Sequence, residues 1–132
     1  MSLSEKISRL RRFLSENPAL AGIPIMVVGG RVISLREAVD MLERGVMTQE
    51  IIAKLQSLGL DDEEEMWALV ERFWESVAAA RPDIKIYALG GYIPVMSPAE
   101  ALEHIRARDE VGKSLVKMYS SLLSYIKMRM NA

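Results

Sequence analysis

The side chains best suited to chemistry are few and widely spaced. His104 is the sole histidine and there is no cysteine. A catalytic imidazole needs an orienting carboxylate and a reacting partner. Glu100 precedes His104 by one helical turn, which stacks the two on one helix face and does no more, so His104 reads as a surface or edge histidine. Without cysteine, disulfides, thiol catalysis, iron–sulfur clusters and cysteine-ligated zinc are excluded. The run Asp61-Asp62-Glu63-Glu64-Glu65 lacks the spaced ligands and glycine bend of a calcium loop. It reads instead as negative charge at a helix N-terminus, worth about 0.3–1 kcal/mol per group. Two glycine pairs invite a phosphate-loop reading: Gly29-Gly30 in VVGGRVISLREAV and Gly90-Gly91 in YALGGYIPVMSPAEAL. Neither has the spacing of a P-loop or a dinucleotide fingerprint, and more extended residues separate each pair from the next helix. Both read as turns that use glycine's access to positive φ. No catalytic residue, cofactor, metal or small-molecule substrate is expected.

Cations form the remaining candidate site. In SEKISRLRRFLSENP, Leu3, Ile7, Leu10 and Leu14 mark an apolar stripe, and Lys6, Arg9 and Arg12 mark another roughly opposite. Arg11 lies on a third side with Ser4, Ser8 and Ser15. Small hydroxyls beside arginines suit phosphate contacts. Lys6, Arg9, Arg11 and Arg12 are therefore candidate nucleic-acid-binding residues; the plainer reading is a solvated basic face on an amphipathic helix.

The elements that must position these groups are mostly helical. Ser2 and Glu5 stand at capping-box spacing, and Asn17-Pro18 ends the first helix. Ile23 to Val28 and Arg31 to Ile33 form a small hairpin or a buried extended connection. Ser34 with Glu37 caps a helix that Gly45 stops; Thr48 caps another that Gly59 ends. Asp62 with Glu65 begins the strongest helix, with Met66, Leu69, Val70, Phe73, Trp74 and Val77 inward and Arg81-Pro82 closing it. Ile84 to Val95 is a second extended connection. Ser97, Pro98 and Glu100 open the next helix, and a last one runs from about Asp109. Its seam Leu115, Tyr119, Leu122, Ile126 and Met130 calls for a partner helix. Trp67 lies off the main stripe of its own helix. Trp67, Tyr119, Ile126 and Met130 are the candidate subunit-interface residues, a place where aromatics and Met are enriched. Between Ser34 and Gly59 a helix-turn-helix reading is possible, but Gln49, Glu50, Lys54 and Gln56 are a poor offering to base edges.

The expected fold is mainly α: a bundle of about five to six helices with an N-terminal helical arm and two short extended or hairpin connections. Residues 1–22 form the basic arm and linker, and 23–132 the bundle. A shift of 63 residues superposes Ser34 on Ser97, Glu37 on Glu100, Ala38 on Ala101 and Leu42 on Ile105. The bundle therefore divides into two pseudo-repeated hairpins, 23–81 and 82–132.

At 132 residues, half of them hydrophobic, the chain is one domain with a real core. Net charge is -1, but its distribution is uneven. The N-terminal helix and the last helix are basic, and Asp61 to Glu75 is acidic, with only Arg72 against seven acids. That pattern fits internal salt bridges, complementarity between subunits, or a basic face for nucleic acid. Few Asn, Gln and Cys among many charges fit a thermophile. No secretory signal or membrane-spanning run is expected.

In outline the chain resembles the coat proteins of filamentous viruses of hyperthermophilic archaea. SEKISRLRRFLSENP, the capped helices after it and the SLVKMYSSLLSYIKMRM seam carry the resemblance. It implies a virion protein that packs with itself or with a paralogous coat subunit around double-stranded DNA. Contact would be to phosphates without sequence preference, through Lys6, Arg9, Arg11 and Arg12. The alternative is a small cytosolic helical interaction module or dimeric regulator that binds no DNA.

Overall fold

The computed structural model describes residues 2–60, 62–87 and 95–131. The architecture is mainly α, with six helices and one two-stranded antiparallel hairpin among the described residues. In chain order they are α1 (Leu3–Glu16), a 3₁₀ turn (Pro18–Leu20), β1 (Pro24–Val28), β2 (Arg31–Ser34), α2 (Leu35–Glu43), α3 (Thr48–Gln56), α4 (Glu63–Ala80), α5 (Pro98–Ala107) and α6 (Glu110–Met130).

The hairpin is the centre of the bundle. Val28 pairs with Arg31 across Gly29 and Gly30, whose φ values are 58° and 77°. Two consecutive positive φ values make the tight turn that matches strand twist, which explains adjacent glycines there. Ile25 and Met26 have no exposed surface, and β1 is apolar without alternation because helices cover both of its faces. Pro24 lies at the start of β1, next to an irregularity in register, a place where its missing N–H costs no ladder bond. The second expected turn, Gly90-Gly91, lies outside the described residues. Flanking it, Ile86 and Met96 exchange backbone hydrogen bonds of 2.8 and 3.1 Å as an isolated antiparallel bridge.

Helix starts follow the caps. Ser34 and Ser97 each close a full capping box with Glu37 and Glu100, and Asp62 accepts from the Glu65 N–H. One start differs from the sequence expectation. Thr48 is the first helical residue of α3, and the N-cap is Met47 in the left-handed conformation with no side-chain bond. The reversal after α2 forces that geometry, through Gly45 at φ 71° and Met47 at φ 52°.

The two expected halves share one continuous core, reaching from Leu10 through Ile25, Leu42, Leu69 and Ile105 to Ile126. Helix α1 belongs to it: Leu10, Phe13 and Leu14 are buried against the bundle. The basic helix is thus docked on the bundle and does not reach away from it as an arm.

Candidate interaction surface

The four cations of α1 meet different fates. Arg11 turns inward along α2, its Nη2 2.6 Å from Asp40 and its Nε 2.6 Å from Glu43. Hydrogen bonding to Arg11 holds the Glu43 carboxyl below its ordinary range, and these bonds push the guanidinium further up. Arg12 lies 3.2 Å from Glu16 one turn on, an exposed pair of little energetic weight. Lys6 and Arg9 line a small hollow of about 120 Å³ together with Met130 and Asn131 at the end of α6. The fold therefore separates the four. Arg11 is a tie between α1 and α2, whereas Lys6 and Arg9 share a surface with the basic end of α6.

The expected subunit-interface residues are mostly core, and the expectation is corrected accordingly. Ile126 has no exposed surface, and Trp67 and Tyr119 retain only 5% each. A side chain already covered by its own subunit has no area to offer another. Trp67 lies off its helix's main stripe because α5 and its C-cap cover it: the Arg108 guanidinium sits 5.1 Å above the indole centroid. Arg108 also grips Glu64 with two hydrogen bonds of 2.6 and 2.8 Å, which holds that carboxyl low. The Tyr119 hydroxyl donates to the Pro24 carbonyl of the hairpin, and its ring packs 5.2 Å from Phe73. Burial pushes the phenol pKa up. Met130 alone of the four is partly exposed. The partner that the α6 seam called for is internal, namely α5, α4 and α1. Its deepest member in the middle is Leu123 rather than Leu122.

The lone histidine does have a carboxylate, but not the one sequence spacing offered. Nδ1 of His104 lies 2.6 Å from Oδ2 of Asp109. Arg108, at φ 52°, reverses the chain after α5 and brings Asp109 back against the preceding turn. The other Asp109 oxygen caps α6 by accepting from the Gly112 N–H at 2.9 Å. Both bonds hold the Asp109 carboxyl below its usual range, the histidine contact foremost. The arrangement fastens an elbow between helices.

Three members of the acidic run have structural roles. Asp62 caps α4, Glu64 meets Arg108, and Glu65 pairs with Lys54 of α3. Among the described residues no cluster of His, Asp or Glu could hold a metal ion. In the helix-turn-helix reading, Lys54 of the would-be recognition helix is engaged by Glu65 and so turned away from base edges. A broad open groove of about 610 Å³ runs between β2 and α4. Its acids have cationic neighbours: Arg31, also in the groove, meets Glu37 at 3.4 Å, and Arg106 of α5, outside the groove, approaches Glu71 and Glu75 at 3.8 and 4.0 Å.

What sequence reasoning missed is the far side of α6. Val111, Met118, Leu122, Tyr125 and Arg129 recur at intervals of seven, four, three and four residues and so share one face. Met118 and Tyr125 are about half exposed, at 46% and 50%, and Met128 beside them at 64%. The signal was legible as a second apolar periodicity in SLVKMYSSLLSYIKMRM, shifted by one residue from the first. Among the described residues no helix is long and apolar enough to cross a membrane. No protein-family model, curated protein or solved structure matches the chain.

Proposed function

We propose that this chain is a helical interaction module whose work is binding another macromolecule rather than turnover. The observation that carries this reading is α6. The helix is docked into the bundle along Leu115, Tyr119, Leu123 and Ile126, while Met118, Tyr125 and Met128 remain outside. Met and Tyr are enriched where protein surfaces meet, because both present a large contact area that packs adaptably. A photo-crosslinking residue at position 125, installed in the cell that makes the protein, should yield defined adducts that Met118→Glu removes. The same residue at Ala68, exposed on α4, should not. Equal labelling from both positions would defeat the reading.

A second reading, a coat protein enclosing double-stranded DNA in a virion with self or a paralogous subunit, draws on a different observation. The two basic segments, far apart in sequence, meet where Lys6 and Arg9 face Met130 and Asn131, next to Lys127 and Arg129. It assigns phosphate contact to Lys6, Arg9, Arg12, Lys127 and Arg129 and withdraws Arg11, which is held by Asp40 and Glu43. Fluorescence anisotropy with a random duplex should then show affinity falling steeply with salt. Lys6→Glu with Arg129→Glu should abolish binding. If the duplex stays free at low salt, this second reading is lost.

A further inference from the structure

The outward face of α6 also indicates the chemistry of its partner. Helix α6 carries Lys113, Lys117, Lys127 and Arg129 and a single acid, Glu110. Lys113 answers Glu110 at 3.3 Å. Lys117, Lys127 and Arg129 make no ion pair with any described residue. Elsewhere the same bundle pairs its arginines closely, as Arg11 and Arg108 show. Lys117 thus borders the apolar stripe and Arg129 lies on the same face near its end, and neither pairs with a carboxylate among the described residues.

From this we infer that the α6 face docks an acidic amphipathic helix of a different chain, its apolar stripe on Met118 and Tyr125 beside the half-buried Leu122 and its carboxylates against Lys117 and Arg129. The inference rests on the interaction-module reading and adds the partner's charge. A second copy fits poorly. Symmetric pairing through this face would set Lys117 and Arg129 of one copy against those of the other. The acidic corner of a second copy is a poor match for another reason: Asp62, Glu64 and Glu65 are already engaged, which leaves Glu63 as the exposed acid, and Leu60 is the exposed large apolar side chain there among the described residues. A bilayer surface is disfavoured by Ser114 and Ser121 within the stripe, where interfacial helices carry Trp, Phe and Leu. Duplex DNA would leave the methionines and tyrosine without a counterpart, since phosphates supply affinity through cations alone. A helix with apolar anchors at one-turn spacing and acidic flanks satisfies both halves of the surface.

The test is calorimetric titration of the full chain with two synthetic amphipathic helices, leucine-faced and flanked by glutamates or by lysines. Phosphatidylglycerol vesicles and a short DNA duplex are titrated alongside. The glutamate-flanked helix is expected to bind at least about tenfold tighter than its lysine twin, the effect of one or two ion pairs. Lys117→Glu with Arg129→Glu should reverse that order, with helicity and Tm unchanged. Equal binding of both helices would overturn the acidic partner and leave the interaction-module reading standing. Tighter binding of vesicles or duplex would also overturn it. If neither helix binds and Met118→Glu changes none of the four titrations, the docking face itself is refuted together with the inference.

Discussion

Gly112 of α6 lies so close to the His104 carbonyl that a Cβ on it would stand 2.4 Å from that oxygen. The contact is between two backbones, so no flexible side chain can yield. Alanine ordinarily stabilises a helix relative to glycine by about 1 kcal/mol. Here the sign should invert, and Gly112→Ala should destabilise by about 1–3 kcal/mol as α5 and α6 are forced apart. Gly22→Ala, where nothing lies within 4 Å of the added atom, serves as the control. Urea denaturation of both variants checks it, and unchanged stability of Gly112→Ala would show that the elbow opens freely.

A related close approach joins the α3–α4 connection to α6. Gly59 has φ 82°, and its Cβ would fall 2.2 Å from the Ser124 hydroxyl and 3.0 Å from the Ser120 carbonyl. The Ser120 hydroxyl also donates to the Gly59 carbonyl at 2.8 Å. Gly59→Ala therefore combines backbone strain with a clash and should cost about 1–3 kcal/mol. Ser120→Ala should cost about 1 kcal/mol through the lost hydrogen bond. Thermal unfolding of the two variants orders them.

Trp67 gives a direct test of core against interface. With 5% of its surface exposed and Arg108 above its ring, Trp67→Ala should destabilise the isolated subunit by about 3–5 kcal/mol. Tyr125→Ala, half exposed on α6, should change stability by less than about 0.5 kcal/mol. A Trp67→Ala variant that kept its Tm and altered only self-association would return the residue to the interface.

Acid stability should report the arginine clamps. Hydrogen bonding to Arg11, Arg108 and His104 lowers the carboxyl pKa values of Glu43, Glu64 and Asp109. A depressed folded-state pKa contributes stability that is present above the unfolded value and lost as pH falls through the folded one. Tm should therefore hold from neutral pH to about pH 5 and decline below about pH 4. Arg108→Gln returns Glu64 to its ordinary range. Its Tm should start lower and fall less between those values. A parallel decline in both proteins would separate the clamp from the acid sensitivity.

Tyr119 acts at the opposite end of the pH scale. Burial raises its phenol pKa, so in an alkaline absorbance titration it should ionise above the ordinary tyrosine range, together with unfolding. The sign follows from the raised folded-state value: the contribution is intact below the unfolded pKa of about 10 and is lost as pH rises through the folded one. Tyr119→Phe removes the donor to the Pro24 carbonyl and should cost about 1 kcal/mol. Early ionisation without unfolding would contradict the buried placement.

Local signals in the chain determined much of this protein. Ser34, Asp62 and Ser97 mark helix starts because a side-chain oxygen satisfies an N–H one turn on, an interaction contained within four residues. Gly29-Gly30 marks a hairpin turn because glycine accepts the two consecutive positive φ values at little cost. The apolar periodicities of α1, α4 and α6 likewise announced helices, since burial must recur with the helical repeat. Long-range approach was decided by the tertiary structure. Arg11 and Arg12 are neighbours in sequence, yet Arg11 reaches two carboxylates of α2 and Arg12 faces its own helix and solvent. His104 found Asp109 only because Arg108 reverses the chain. Above all, the α6 seam called for a partner, and the sequence could not say whether that partner lay in the same subunit or in another. Packing against α5, α4 and α1 took Leu115, Tyr119, Leu123 and Ile126, with the Tyr119 hydroxyl reaching Pro24 of the hairpin. Met118 and Tyr125 were left outside with cations around them.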